Sequence, residues 1–214
     1  HADEQQWGVR IEIGRALAAS GTKEGAIGLA EVFGAETDPR VMRFLADSCG
    51  GMRDPVLATA LEEWLARPRP LPYIATGSAL SALGRQRGTD HLDTLRAACL
   101  DRSWWGWVRR GAMTGLGATR TEEARRFLVG KVDYSAEVQQ VRVMAIAALA
   151  TAARWQEEGP RKQTLEKLTD LTRDVDYGVR MAAIMAIRAL GDLAGVPAMK
   201  AATRSLAGQD RPRV

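Results

Sequence analysis

The feature that most constrains this chain is a Val-Arg pair that recurs with small and apolar residues at fixed offsets: Val9-Arg10, Val108-Arg109, Val141-Arg142 and Val179-Arg180. Four residues after each Val stand Ile13, Ala112, Ala145 and Ala183, and eight after it stand Leu17, Leu116, Leu149 and Ile187. Offsets of four and eight lie on one face of a helix. Two degenerate copies fill the gap, one at Val41 with Leu45 and Cys49, the other at Ala75 with Ala79 and Leu83, so that successive anchors are 32, 34, 33, 33 and 38 residues apart. A period near 33 fits two helices of about 13 residues and two short turns.

Each anchored helix is expected to stop at a turn such as Ser20-Gly21-Thr22, Gly84, Gly117-Ala-Thr119 or Gly191-Asp192, where glycine closes a helix in the left-handed conformation. A second helix follows, with apolar residues three and four apart: Ala26, Leu29, Ala30 and Phe33, then Leu57, Ala60, Leu61 and Trp64, then Ala124, Phe127, Leu128 and Val132, then Leu165 and Leu168. Pro197 requires the last of these to start near Gly195 or Val196. The long final interval holds an insertion, 154–160, that extends a first helix or its loop. A single hairpin cannot bury its own apolar stripe, so neighbours must stack.

The fold expected is all-α, a right-handed alpha-alpha superhelix or solenoid of about six hairpins at about 3–36, 37–69, 70–101, 102–133, 134–173 and 174–206, with a polar tail at 207–214. Periodicity is under way by Gln6, and the opening His1 reads as the start of a segment of a longer chain. No run approaches the ~20 apolar residues of a membrane helix, residues 1–30 lack the pattern of a secretory signal, and no membrane partner is expected. Cys49 and Cys99 sit inside apolar patterns without Cys-x-x-Cys spacing, which argues against a disulfide framework or zinc site and leaves the compartment open.

Asp38, Ser103, Asp174 and Asp176 precede the anchors and can cap first helices, while the Arg after each anchor reads as a ladder rung bonding toward a neighbouring acid or carbonyl. Trp104, Trp105 and Trp107 are the most unusual local feature. Helical spacing puts Trp104 on the buried seam with Ala112 and Leu116, Trp105 in line with Arg109 and Met113, and Trp107 above the bare stripe Gly111 and Gly115. Three indoles so close cannot all point inward; packing between repeats is the simpler reading of the cluster, and one left outside suits a partner contact.

Residues 1–68 carry 7 basic and 11 acidic groups, a balance of −4, whereas 69–214 carry 23 and 15, a balance of +8. The later second helices offer Arg96, Arg125, Arg126, Lys131, Arg161, Lys162, Lys167, Lys200 and Arg204, which in a solenoid would line the concave face. Interleaved acids make a solvated surface the simpler reading, and no phosphate-cradling loop reinforces nucleic-acid binding. His91 reads as a surface histidine, and the adjacent Glu62-Glu63 carboxylates diverge by about 100° on a helix and cannot act as a paired acid and base. The residues offered as an interaction surface are Trp104, Trp105, Arg109, Arg125, Arg126, Lys162 and Lys167. No catalytic residue, metal ligand, cofactor or small-molecule substrate is assigned.

The string Asp101-Arg-Ser-Trp-Trp-Gly-Trp-Val-Arg-Arg-Gly-Ala-Met-Thr-Gly-Leu-Gly117, with the turn Leu190-Gly-Asp192, resembles HEAT repeats of the kind found in phycobilin lyases, and the likeness spans 3–206. The order of degenerate early units, then Ser-Trp before a Val-Arg helix, is most similar to the C-terminal HEAT region of bacterial aminopeptidase N-like zinc metallopeptidases. Those enzymes hold zinc with H-E-x-x-H and a distant Glu, whereas Leu-Asp-Thr-Leu follows His91, so that centre has no counterpart here. The resemblance implies a non-catalytic scaffold segment that packs beside a catalytic domain, with a protein partner, either an upstream domain or another chain. Alkylpurine DNA glycosylases also resemble this chain at Ser103-Trp104-Trp105 and Val108, which would imply nucleic-acid binding. Arg109 stands where their catalytic acid belongs, and a cation cannot stabilise the positive charge of base excision.

Overall fold

The computed structural model describes residues 6–68, 71–86 and 89–209, the side chains of 203 and 205–209 excepted. The readings placed on His1 and on 210–214 lie outside the described residues. Every regular element among them is helical, in two compact units, residues 1–119 and 120–214. The division falls inside the fourth hairpin read from the sequence, and each unit is described by itself.

The first unit holds α1 (Trp7–Ser20), α2 (Lys23–Ala35), α3 (Pro39–Cys49), α4 (Pro55–Leu65), α5 (Tyr73–Arg85), α6 (Leu92–Ala98), a 3-10 turn at Trp104–Gly106 and α7 (Trp107–Thr119). The anchored helices lie side by side in chain order, α1 on α3, α3 on α5 and α5 on α7, while α2 lies against α4. Each second helix also touches the next first helix: α2 meets α3, α4 meets α5 and α6 meets α7. The second unit holds α8 (Glu122–Val129), α9 (Gln139–Ala153), α10 (Glu158–Leu171), α11 (Tyr177–Leu190), a 3-10 turn at Leu193–Gly195 and α12 (Val196–Gln209). The same adjacency rule holds there, with α9 on α11, α8 on α10, α8 on α9 and α10 on α11.

Local chemistry sets the starts of these helices. Thr22, Asp38, Asp54, Thr121 and Asp176 accept backbone N–H bonds as N-caps of α2, α3, α4, α8 and α11, and Pro39 and Pro55 occupy first positions where no donor is lost. Ser103 makes no cap bond, and Asp174 spends its carboxylate on the Asp176 N–H and on Arg142. Gly21 and Gly191 close α1 and α11 with φ of 63° and 74°, as their turns require. Gly84 and Gly117 lie inside α5 and α7 and end nothing, and Arg120 takes the left-handed position after α7. The 154–160 insertion becomes the α9–α10 loop and the first residues of α10. α12 starts at Val196 and includes 207–209, which the sequence had placed in a polar tail.

The aligned rungs fill the core. Val41, Leu45, Cys49, Ala75, Ala79, Leu83, Val108, Ala112, Leu116, Val141, Ala145, Leu149, Val179 and Ala183 show no exposed surface, and Ile187 shows 1%. The first copy departs from this pattern. Val9 is exposed, Ile13 and Leu17 are half-buried, and Ile11 and Gly14 face inward. In α1 the face that meets α3 carries Gly14, which lies against Leu45.

The tightest contact in the first unit is α5 against α7. A Cβ added at Gly111 would lie 2.1 Å from the Gly77 carbonyl oxygen, and one added at Gly84 would lie 2.0 Å from that of Gly115. Four glycines therefore let two backbones touch, and the stripe expected at Gly111 and Gly115 meets its partner in α5. Being surrounded by α3, α4, α6 and α7, α5 is buried from Ala75 to Gly84 apart from Ser78, and small side chains there keep the spacing short. No helix among the described residues is long and apolar enough to cross a membrane.

Candidate functional site

The tryptophan cluster is shaped by a break in the backbone. Trp105 takes φ 56° and Gly106 φ 63°, so the chain turns left-handed just before α7 begins at Trp107. Helical spacing cannot be carried back through such a break. Trp104 is accordingly 69% exposed and does not join Ala112 and Leu116 on the buried seam, and Trp105, 57% exposed, does not line up with Arg109 and Met113. The two indoles pack tilted on one another with centroids 5.5 Å apart, and the Arg110 guanidinium covers the Trp107 ring at 4.5 Å.

Trp104 and Trp107 form one wall of a groove of about 440 Å³ at the entrance ends of the anchored helices. The first turns of α3 supply Arg40, Arg43 and Phe44, and the start of α5 supplies Tyr73 and Ile74. These ends converge because α3, α5 and α7 are consecutive in the row and the glycine seam draws the last two together. Tyr73 is 46% exposed, a large apolar area open to solvent.

No carboxylate lines the groove among the described residues. Arg40 is neutralised from behind by Asp38, with Nη2 2.8 Å from Oδ2 and Nε 3.1 Å from Oδ1. The side-chain and backbone hydrogen bonds from Arg40 bring the Asp38 carboxyl down to about 2. Arg43 is exposed, lies over the Phe44 ring at 5.5 Å and makes no ion pair with a described residue. Pro72, which precedes α5, brings no side-chain acceptor to that helix's N-terminus.

The seven residues offered from the sequence divide between the units, with Trp104, Trp105 and Arg109 in the first and Arg125, Arg126, Lys162 and Lys167 in the second. Arg109 is half-buried in the first turn of α7. Arg125 is not a surface residue. Its side chain is buried, with Nε and Nη2 on Glu122 at 2.6 and 2.8 Å and Nη1 3.4 Å from the Thr164 hydroxyl, a bridge from α8 to α10. The Arg125 hydrogen bonds outweigh the cost of burial and hold the Glu122 carboxyl below its ordinary range. Arg126 and Lys162 are exposed, Arg126 paired with Glu122, and Lys167 pairs with Asp133. Lys131 with Glu137, and at 3.7 Å Arg96 with Asp93 and Arg161 with Asp192, extend this local neutralisation of the basic second helices.

Two of the anchor arginines form cross-links within their units. Arg10 reaches Glu36 at 3.0 Å and Asp38 at 3.7 Å, the acids that precede α3. Arg142 reaches Asp174 at 2.6 Å, before α11, and donates from Nε to the Val132 carbonyl at 3.1 Å. Arg180 instead donates to the carbonyls of Asp174 and Val175.

Sequence reasoning did not assign Arg40, Arg43, Phe44 and Tyr73 to a site. The available signal was an aromatic two residues before the anchor, at Trp7, Tyr73 and Tyr177, each exposed in the first turn of its helix. His91, read as a surface residue, is 9% exposed, and its Nδ1 lies 2.8 Å from Glu62 Oε1 of α4. Among the described residues no three His, Cys, Asp or Glu side chains are grouped to hold a metal ion. No protein-family model and no curated protein matches this chain.

Proposed function

We propose that this chain is a non-catalytic interaction module, a right-handed superhelix of HEAT-type hairpins that serves as a docking scaffold for a protein partner. The adjacency of first helices with first helices, repeated inside each unit, and the arginine cross-links between successive anchored helices support the repeat reading. The observation that carries the docking function is the groove at the entrances of α3, α5 and α7, where Tyr73 and Trp104 present open aromatic surface.

The resemblance of the unit order, degenerate early copies and then Ser-Trp before a Val-Arg helix, to the C-terminal region of aminopeptidase N-like proteins supplies the first partner to test, the catalytic domain of such a zinc peptidase. Calorimetric titration of this chain into that domain should give a saturable isotherm or a changed rate of peptide hydrolysis. A flat isotherm together with an unchanged rate would count against this partner.

A further inference from the structure

We infer that the groove between the first turns of α3, α5 and α7 binds an extended peptide segment that carries apolar anchors and at least one carboxylate side chain. This rests on the interaction-module reading and adds the chemistry of what is recognised. Phe44, Tyr73, Trp104 and Trp107 give the groove apolar walls, and its volume of about 440 Å³ lies in the range of pockets that enclose small ligands or anchoring side chains. Aromatic anchors of this kind supply most of the affinity where they are desolvated by a partner.

Charge selects among apolar partners. Asp38 already satisfies Arg40, so the uncompensated positive charge at the rim is that of Arg43, held in place over Phe44. The N-terminal end of α5 opens on the same groove after Pro72, which offers it no capping oxygen, and the positive end of the helix dipole adds to the preference for an anion. Among the described residues that line the groove, Arg43 is the cation without an ion pair, and its charge among aromatic walls suits an occasional carboxylate in an apolar segment. A nucleic-acid backbone would instead need a row of cations, and a concave slot is poorly shaped for a bilayer surface.

The test uses two fluorescein-labelled octapeptides, one alternating aspartate with leucine and phenylalanine, the other with lysine in place of aspartate, titrated with the whole chain and followed by anisotropy. The acidic peptide should bind at least about tenfold more tightly than the basic one, and Arg43→Glu should remove that preference. Trp104→Ala should weaken the acidic peptide by at least about tenfold. Both side chains are exposed, and unchanged circular dichroism and thermal midpoint will show that each variant folds. Equal binding of both peptides, an unaltered affinity in either variant, or displacement of the acidic peptide by duplex DNA or by phosphatidylglycerol vesicles would overturn the inference. If neither peptide binds while the aminopeptidase domain does, the inference falls alone; if both titrations are silent, the interaction reading loses its support as well.

Discussion

Arg142 donates from Nη2 to Asp174 Oδ2 over 2.6 Å, and the two side chains are only 4% and 8% exposed. This pair ties the second residue pair of α9 to the residue that leads into α11, and so fixes the offset between consecutive anchored helices. Burial opposes ionisation of Asp174, but the hydrogen bonds from Arg142 and the Asp176 N–H outweigh it and keep its carboxyl below the ordinary value.

Removing Arg142 leaves the Asp174 carboxylate with the Asp176 N–H as a remaining hydrogen bond. Arg142→Ala should lower the unfolding free energy by about 1–3 kcal/mol, read from urea denaturation near neutral pH. Because the folded Asp174 titrates below its unfolded value of 3.8, its contribution is complete above that value and disappears as the pH falls through the folded one. The stability gap between the native chain and Asp174→Asn should therefore narrow in acid. A gap that widens there would contradict the assignment.

At the entrance to α3, Asp38 is held at about 2 by Arg40. Carboxyl carbon NMR should find its titration near that value, and Arg40→Ala should move it up toward 3.8. The sign is the same as for Asp174: the cap favours the folded state above the unfolded value and loses that effect as the pH descends through about 2.

Gly111→Ala and Gly84→Ala would each drive a methyl into backbone at close to 2 Å, where no side chain can swing aside. Each should cost at least about 1–3 kcal/mol. Gly34→Ala, in α2 with open space around it, should instead raise stability by about 0.5–1 kcal/mol through helix propensity. Thermal melts of the three variants separate seam from surface.

Burial pushes the Cys49 thiol up to about 12, and Cys99 is equally enclosed. Neither should react with Ellman's reagent in the folded chain at neutral pH, and labelling should track urea unfolding. Prompt release of thionitrobenzoate from native protein would show that one of these cores opens locally.

The helices were legible because the period is written in residues whose burial is compulsory: Val108, Val141 and Val179 with their fourth and eighth neighbours all point inward. Val9 carries the same pattern but is exposed, and α1 turns Ile11 and Gly14 inward instead. The site was less legible. Helical spacing was extended back to Trp104 across Gly106, although a glycine between two tryptophans is itself a sign of a turn, and the backbone there is left-handed. Its place among the basic residues of a second helix makes Arg125 read as a surface cation, whereas Glu122 one turn earlier and Thr164 from another helix draw it inside. The groove escaped notice because its walls come from three hairpins that no local window brings together.

The left-handed step at Trp105 and Gly106 divides the labour of this region. Residues 104–106 precede α7, while the glycines that set its distance from α5 lie one and two turns into it. The rim can therefore be rewritten, in length or in side chain, without disturbing the spacing beneath it, so binding preference could diversify in one short stretch while the scaffold that presents it stays constant.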